Sequence, residues 1–149
     1  MPPRASEEVL GERRDTLISA GFFPFGNAEA VSGGYRIAGT WNWSSGCDHA
    51  DWIFLGNIVP LEGGPTPCLC LVPRSEVEID DNWHVLGMRG TGSKDIVIKN
   101  GTVVPPHRVL AMPVSAGGFP PDRTDLAPLH RLPHVATVPF FFVSTGIGI

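Results

Sequence analysis

Apolar residues along this chain come in short bursts punctuated by glycine and proline, with few long helical stripes. Ser6–Ile18 is charged, with Val9, Leu10, Leu17 and Ile18 at loosely helical spacing, which predicts one short helix. The next run, SAGFFPFGNAEA, reads as a loop punctuated by glycine and proline. In VSGGYRIAG, Gly33-Gly34 supplies the positive φ of a hairpin turn, and Tyr35 and Ile37 then alternate with polar or small neighbours. Trp52–Val59 (WIFLGNIV) hardly alternates and predicts a strand covered on both faces. LEGGPTP is a turn, and Cys68–Val72 is a buried strand ended by Pro73. Val77-Glu78-Ile79 alternates as a strand, and His84–Met88 reads as an extended piece. Asp95–Val104 is a strand broken by a turn or bulge at Asn100-Gly101. Pro105–Pro133 reads as irregular connection. About six or seven short strands separated by turns predict a mainly β fold, a small barrel or sandwich with short helical flanks at both ends.

Composition narrows the class. The chain has 149 residues, 42% hydrophobic and 17% charged, enough apolar content for one packed domain. A formal net charge of −4 argues against nucleic acid or an anionic membrane as partner. The polar start, MPPRASEEVLGERRD, shows no secretory signal, and Cys47, Cys68 and Cys70 are odd in number, so a reducing cytoplasmic setting is expected. The apolar ending, VPFFFVSTGIGI, reads as a helix opening at Pro139 that does not finish, and hence as a piece of something longer.

The densest chemistry lies in WNWSSGCDHADW, residues 41–52. Three readings compete for it. Cys47, Asp48 and His49 are consecutive, and neighbours on extended backbone point to opposite faces, which works against a shared metal ion. Ser45 lacks the strand–turn–helix setting of an activated serine, although His49 is near enough in sequence to serve as its base. A flat ligand is the third reading. Trp41, Trp43 and Trp52 offer broad apolar walls, and Ser44, Ser45 and the amides around Gly46 offer donors and acceptors for a ring edge. The same three indoles would also serve as core filling.

The run GGYRIAGTWNWSSGCDHADWIFLG resembles the middle β-domain of flavin-dependent monooxygenases built on the acyl-CoA dehydrogenase fold. Those are oxygenase components of two-component systems, such as the ones hydroxylating 4-hydroxyphenylacetate or steroid-derived phenols. LVPRSEVEIDDNWHVLGMRGTGSKDIVI, VVPPHRVL and LPHVATVPFFFVSTGIGI follow in the family's order, so the resemblance covers nearly the whole chain. It implies a remnant of an N-terminal helical domain in 1–18, a flavin-contacting middle β-domain in 19–112, and a connection with the start of a C-terminal helical domain in 113–149. Trp43 and Ser45 fall on the tryptophan and threonine of the dehydrogenases' W-I-T-N-G stretch, whose hydroxyl bonds the flavin near N5. Ser19–Asn27 stands where dehydrogenases carry a flavin loop and matches it only in Pro24 and Gly26.

The resemblance implies reduced FMN or FAD as cofactor, delivered by a flavin reductase, and a small aromatic substrate. A homotetramer is the family's full-length assembly. Arg89, in LGMRGTGSKD, meets a cofactor phosphate or an interface carboxylate, or else pairs with an acid of its own domain. Thr91 and Ser93 add hydroxyls beside it. His107, His130 and His134 are proline-flanked and read as structural. No catalytic residue is assigned within the chain, because the family's phenol base lies in the C-terminal bundle. Weak or no activity is expected of the chain alone. An acyl-CoA dehydrogenase middle domain and a non-catalytic β-domain acting as an interaction module are the competing readings.

Overall fold

A computed structural model describes residues 3–11, 13 and 15–112, within the first of two compact units, Met1–Met112. Helix α1 spans Pro3–Leu10 and is followed by seven strands: β1 (Ile18–Val31), β2 (Gly34–Ser44), β3 (Trp52–Leu61), β4 (Gly64–Pro73), β5 (Glu78–Asp80), β6 (Lys94–Val104) and β7 (Val109–Ala111). They form one sheet in the order β5-β6-β2-β1-β3-β4-β7. All pairs are antiparallel except β1 with β3.

The sheet is curled. Four strand steps separate β6 from β4, so a flat sheet would hold them roughly 19 Å apart. They come within 8 Å at Cα, and Ile96 and Ile98 of β6 share one core with Cys68, Cys70 and Val72 of β4. The expectation of a small barrel therefore holds in an open form, with β5 and β7 as its edges. The hairpin at Gly33-Gly34 is present, with φ of 89° and 152°. None of Trp52–Val59 is exposed, as its lack of alternation predicts. The break in β6 is a bulge: residues 99–101 stand opposite Ala38 alone, and Gly101 takes φ 75°.

Three expectations are corrected. The predicted helix over Ser6–Ile18 starts and stops early. Pro3 opens it, Gly11 closes it with a hydrogen bond to the Glu7 carbonyl, and Ala5 and Val9 are its buried residues. Leu17 and Ile18 follow Leu10 at a spacing that mimics its helical face, but Ile18 opens β1 and pairs with Trp52. The loop predicted over SAGFFPFGNAEA is part of β1. Its pairing does break, because Phe22–Phe25 stand opposite Gly56 alone between the Gly21 and Gly26 pairs. Pro24 has no N–H to give to a ladder, which suits it to such a bulge. His84–Met88 is not a strand; it belongs to the long β5–β6 connection. The expected C-terminal helix, His130 and His134 lie outside the described residues.

Trp41 sits at the centre of the core, fully buried, and donates its indole N–H to the Gly56 carbonyl at 2.7 Å. Space beside it is exhausted. A Cβ on Gly26 would come within 2.9 Å of the Trp41 ring and 2.6 Å of Asn57 Oδ1, and one on Gly56 within 2.2 Å of the Phe22 carbonyl oxygen. The helix docks through Glu8, which accepts from Arg108 Nε at 2.9 Å and lies 3.1 Å from His107 Nε2. Arg108 also lies over the Trp52 ring, 4.9 Å from its centroid. The Arg108 guanidinium, with His107, holds the Glu8 carboxyl down at about 2.

Two outcomes follow. Gly56→Ala should lower stability by about 2 kcal/mol or more, because the obstructing atom is backbone; a urea melt matching wild type would contradict this packing. Glu8 titrates lower in the folded chain than in the unfolded one. Its contribution is present above the unfolded value near 4.5 and disappears as pH falls toward about 2. Glu8→Gln should therefore flatten the acid limb of a stability–pH profile between those values and cost no more than about 1 kcal/mol at neutral pH.

Candidate functional site

β2 and β3 lie on opposite sides of β1, so the chain must cross over the start of β1 between them. Residues 45–51 make that crossing, and they carry the polar part of WNWSSGCDHADW. The crossing is stapled down from below. Asp51 and Trp52 donate their N–H groups to the Leu17 carbonyl at 2.9 and 3.2 Å, and Leu17 N–H returns a bond to Asp51 Oδ2 at 3.0 Å. Ser19 Oγ donates to the Ser45 carbonyl at 2.8 Å.

The β5–β6 connection clasps the crossing from the side. Gly46 N–H donates to the Thr91 carbonyl at 2.8 Å, and Ser45 Oγ lies 2.8 Å from Ser93 Oγ. Lys94 Nζ bridges Asp48 and Asp81 at 3.0 and 3.2 Å, and both carboxylates raise its pKa. The backbone is strained where the two loops meet. Among the described residues, Trp43 (φ 61°) and Met88 (φ 57°) are the non-glycine residues with positive φ, and Gly46 and Gly92 take 72° and 52°.

The three tryptophans separate. Trp41 is core, Trp52 is half-buried beneath Arg108, and Trp43 is 67% exposed. One carboxylate holds Trp43 out. Asp95 is buried and accepts from Asn42 Nδ2 at 2.6 Å, Asn82 Nδ2 at 2.8 Å and the Trp43 N–H at 3.4 Å. Asp95 and Asn82 lie within a stretch quoted for the resemblance, but nothing there marks their role; the pairing of β6 with β2 puts Asp95 under Trp43, and Asn82 joins it from the β5–β6 connection.

Of the predicted site residues, Trp43, Ser45, Gly46 and Arg89 are exposed. Nothing lies within 4 Å of where a Gly46 Cβ would stand, so the backbone there is open to a ligand's approach. Ser44 departs from the expectation. Its side chain points inward, fully buried, with its hydroxyl 2.7 Å from Ser19 Oγ, because the positive φ at Trp43 interrupts the alternation of β2 and turns the next side chain in. Arg89 lies on the same connection as Thr91 and Ser93 and forms no ion pair among the described residues. Thr91 and Ser93 do not serve it; their hydroxyls run toward Ser45.

The other readings of the stretch meet geometric obstacles. Ser45 takes Ser93 as its hydroxyl partner, not His49. Cys47 is buried while Asp48 and His49 are exposed, and among the described residues no group of three His, Cys, Asp or Glu side chains is placed to hold a metal. Burial raises all three thiols, that of Cys70 to about 12, so they sit in the core as small apolar groups. A shallow depression of about 260 Å³ between Glu78, Ile79, Asp80, Val97 and Lys99 shares no residue with the Ser45 crossing. No described helix is long and apolar enough to cross a membrane.

No family model matches the chain. Individual relatives do. It is 47% identical over 154 residues to the flavin-dependent monooxygenase oxygenase subunit HsaA of Mycobacterium tuberculosis, covering 97% of this chain and 38% of that protein. It is 38% identical over 151 residues to the oxygenase component of an FADH2-dependent resorcinol hydroxylase from a Rhizobium species, covering 99% of this chain and 37% of that protein. The crystal structure of M. tuberculosis HsaA superposes with a TM-score of 0.69 at 50% identity over 74% of this chain and 29% of its own. XiaF from a Streptomyces species, solved with FADH2 and glycerol, gives 0.67 at 35% identity over 74% and 28%. This chain thus spans under two fifths of the length of the relatives it matches. It belongs to the flavin-dependent monooxygenases of the acyl-CoA dehydrogenase-like superfamily, matching a part of their oxygenase components.

Proposed function

We propose that this chain supplies the flavin-edge contact of an oxygenase that hydroxylates a phenolic or other aromatic substrate with reduced flavin and O2. The observation that carries the reading is the position of Ser45, an exposed residue whose hydroxyl is tethered to Ser93. It sits on a stapled crossing, two residues from an outward-held indole and beside a glycine whose Cβ position is open. That donor and acceptor set suits a flat ring with a polar edge, and the relatives' names agree with it.

Reduced FMN or FAD, when bound, supplies the electrons that let one atom of O2 enter the substrate while the other leaves as water. The chain's own residues have narrower tasks. Ser45 Oγ accepts a hydrogen bond from the ring edge. The Trp43 indole covers part of the ring and keeps water from it, which strengthens that bond. Arg89, exposed and unpaired among the described residues, offers a forked cation to a flavin phosphate or to an interface carboxylate. Ser44 acts from below, through the Ser19 hydroxyl, on the Ser45 carbonyl. A flavin reductase as donor, a homotetrameric assembly and a cytoplasmic setting belong to the same proposal.

Anaerobic titration with reduced FMN and reduced FAD tests it. Binding of at least one is expected, and Ser45→Ala should weaken it about tenfold, the worth of one hydrogen bond in a partly dry site. Absence of binding by either flavin would sink the reading. Asp95→Ala should cost about 1 kcal/mol or more of stability, since it leaves the half-buried Asn42 amide without its partner while the exposed Asn82 turns to water. It should also weaken flavin binding more than a surface change does, because Trp43 loses the anchor of its left-handed backbone. Unchanged flavin affinity in a folded Asp95→Ala chain would show that Trp43 does not depend on it.

A further inference from the structure

The hydroxyls around Ser45 can be assigned a direction by counting protons. A hydroxyl has one hydrogen to give and two lone pairs to receive with, and a carbonyl oxygen can only receive. Thr91 Oγ1 lies 2.9 Å from the Met88 carbonyl oxygen, so its hydrogen goes there. The 2.6 Å contact between Thr91 Oγ1 and Ser93 Oγ must then be Ser93 donating. With that hydrogen used, the 2.8 Å contact between Ser93 Oγ and Ser45 Oγ must be Ser45 donating. The hydrogen of Ser45 is thereby turned inward, and only lone pairs remain on its exposed side.

The anchor of this chain is built in. Met88 and Gly92 bracket the short turn Arg89–Thr91 with φ of 57° and 52°. The turn aims the Met88 carbonyl back at Thr91, whose N–H also bonds it at 3.0 Å, and Trp83 Nε1 reaches it at 3.2 Å. Each donating hydroxyl becomes a better acceptor, so the direction is reinforced from link to link. A second chain agrees with the first. Ser19 gives its hydrogen to the Ser45 carbonyl, so the Ser44 hydroxyl donates to Ser19 and neither competes for Ser45 Oγ.

An outward-facing pure acceptor distinguishes the two redox forms of one ligand. Oxidised isoalloxazine presents a bare lone pair at N5, whereas the two-electron reduced ring presents N5–H. The two forms have nearly the same outline, so shape alone separates them poorly. We infer that Thr91 and Ser93 are specificity-determining positioning residues: they fix Ser45 as an acceptor and thereby select reduced flavin over oxidised flavin. This rests on the flavin-binding reading above and deepens it. An oxygenase fed by diffusing flavin needs to take up the reduced form in the presence of the oxidised one. Neither Thr91 nor Ser93 has to touch the flavin to bring this about.

The test compares affinities of the 149-residue chain for FMN and FAD in both redox states, measured anaerobically. Wild type should prefer the reduced form at least tenfold, equivalent to raising the bound two-electron potential by about 30 mV. Thr91→Val removes the anchor and leaves Ser45 intact. Ser93 is then free to donate to Ser45, the Ser45 hydrogen can swing outward, and the preference should collapse toward one. Thr91→Ser keeps a hydroxyl and should restore it. A merely structural role would weaken both redox forms alike and leave their ratio at the wild-type value. That result in a Thr91→Val chain with an unchanged melting temperature overturns the inference, as does wild-type binding without redox preference. Should Thr91→Val not fold, Ser93→Ala breaks the same chain one link later, with the same expected collapse and the same overturning result. Wild type binding neither form in either state would instead bring down the functional reading, and this inference with it.

Discussion

The candidate site depends on a topological constraint, the passage from β2 to β3 across the start of β1. β1 and β2 form a hairpin, and β3 joins the far side of β1 in parallel. A parallel neighbour cannot be reached by a tight turn, so the intervening residues must travel over a strand end. Here the journey takes only seven residues, 45–51. So short a crossing stays in place because its backbone groups are paired from two sides. Leu17 and Ser19 hold it from below, and Thr91 and Ser93 hold it from the β5–β6 connection. A polar crossing loop at the surface thereby becomes as well placed as a strand.

The constraint also explains where the strain sits. Trp43, Gly46, Met88 and Gly92 all take positive φ, and all lie at the seam between the two loops. A left-handed conformation is costly for a bulky residue, and it persists only where the surroundings over-determine it. For Trp43 the surroundings are Asp95 and its two asparagines. The indole that would otherwise turn toward the core is held in the open, two residues from an indole that fills the core completely. Strain of this kind at a surface seam fits a contact surface better than it fits a fold element.

Core and site are thus built from the same short stretch with opposite logic. Trp41 and Cys47 are sealed, Ser44 spends its hydroxyl inside, and Trp43, Ser45 and Gly46 look outward. A substitution at any of these positions tests either packing or recognition, depending on which way its side chain faces.

Much of this was legible in the sequence alone. The hairpin glycines, the covered strand Trp52–Val59 and the bulge at Asn100-Gly101 follow from local rules: positive φ, lack of alternation and a turn dipeptide inside a strand pattern. The order of four motifs pointed to the family before any coordinates. The extent of the first helix and the fate of FFPF were not legible. Apolar pairs such as Val9-Leu10 and Leu17-Ile18 suit one long helix and equally a helix followed by a strand, and a bulge shows itself only against its partner strand. Nor could sequence sort Ser44 from Ser45, or Trp43 from Trp41. Those assignments depend on which face of β2 meets the core, and at Trp43 the backbone reverses the ordinary alternation. Thr91 and Ser93 reach the crossing, and Asp95 the end of β2, from far along the chain. Only the closing of β6 onto β2 brings them there, because hydrogen bonds of such separation are decided by strand register and not by neighbouring residues.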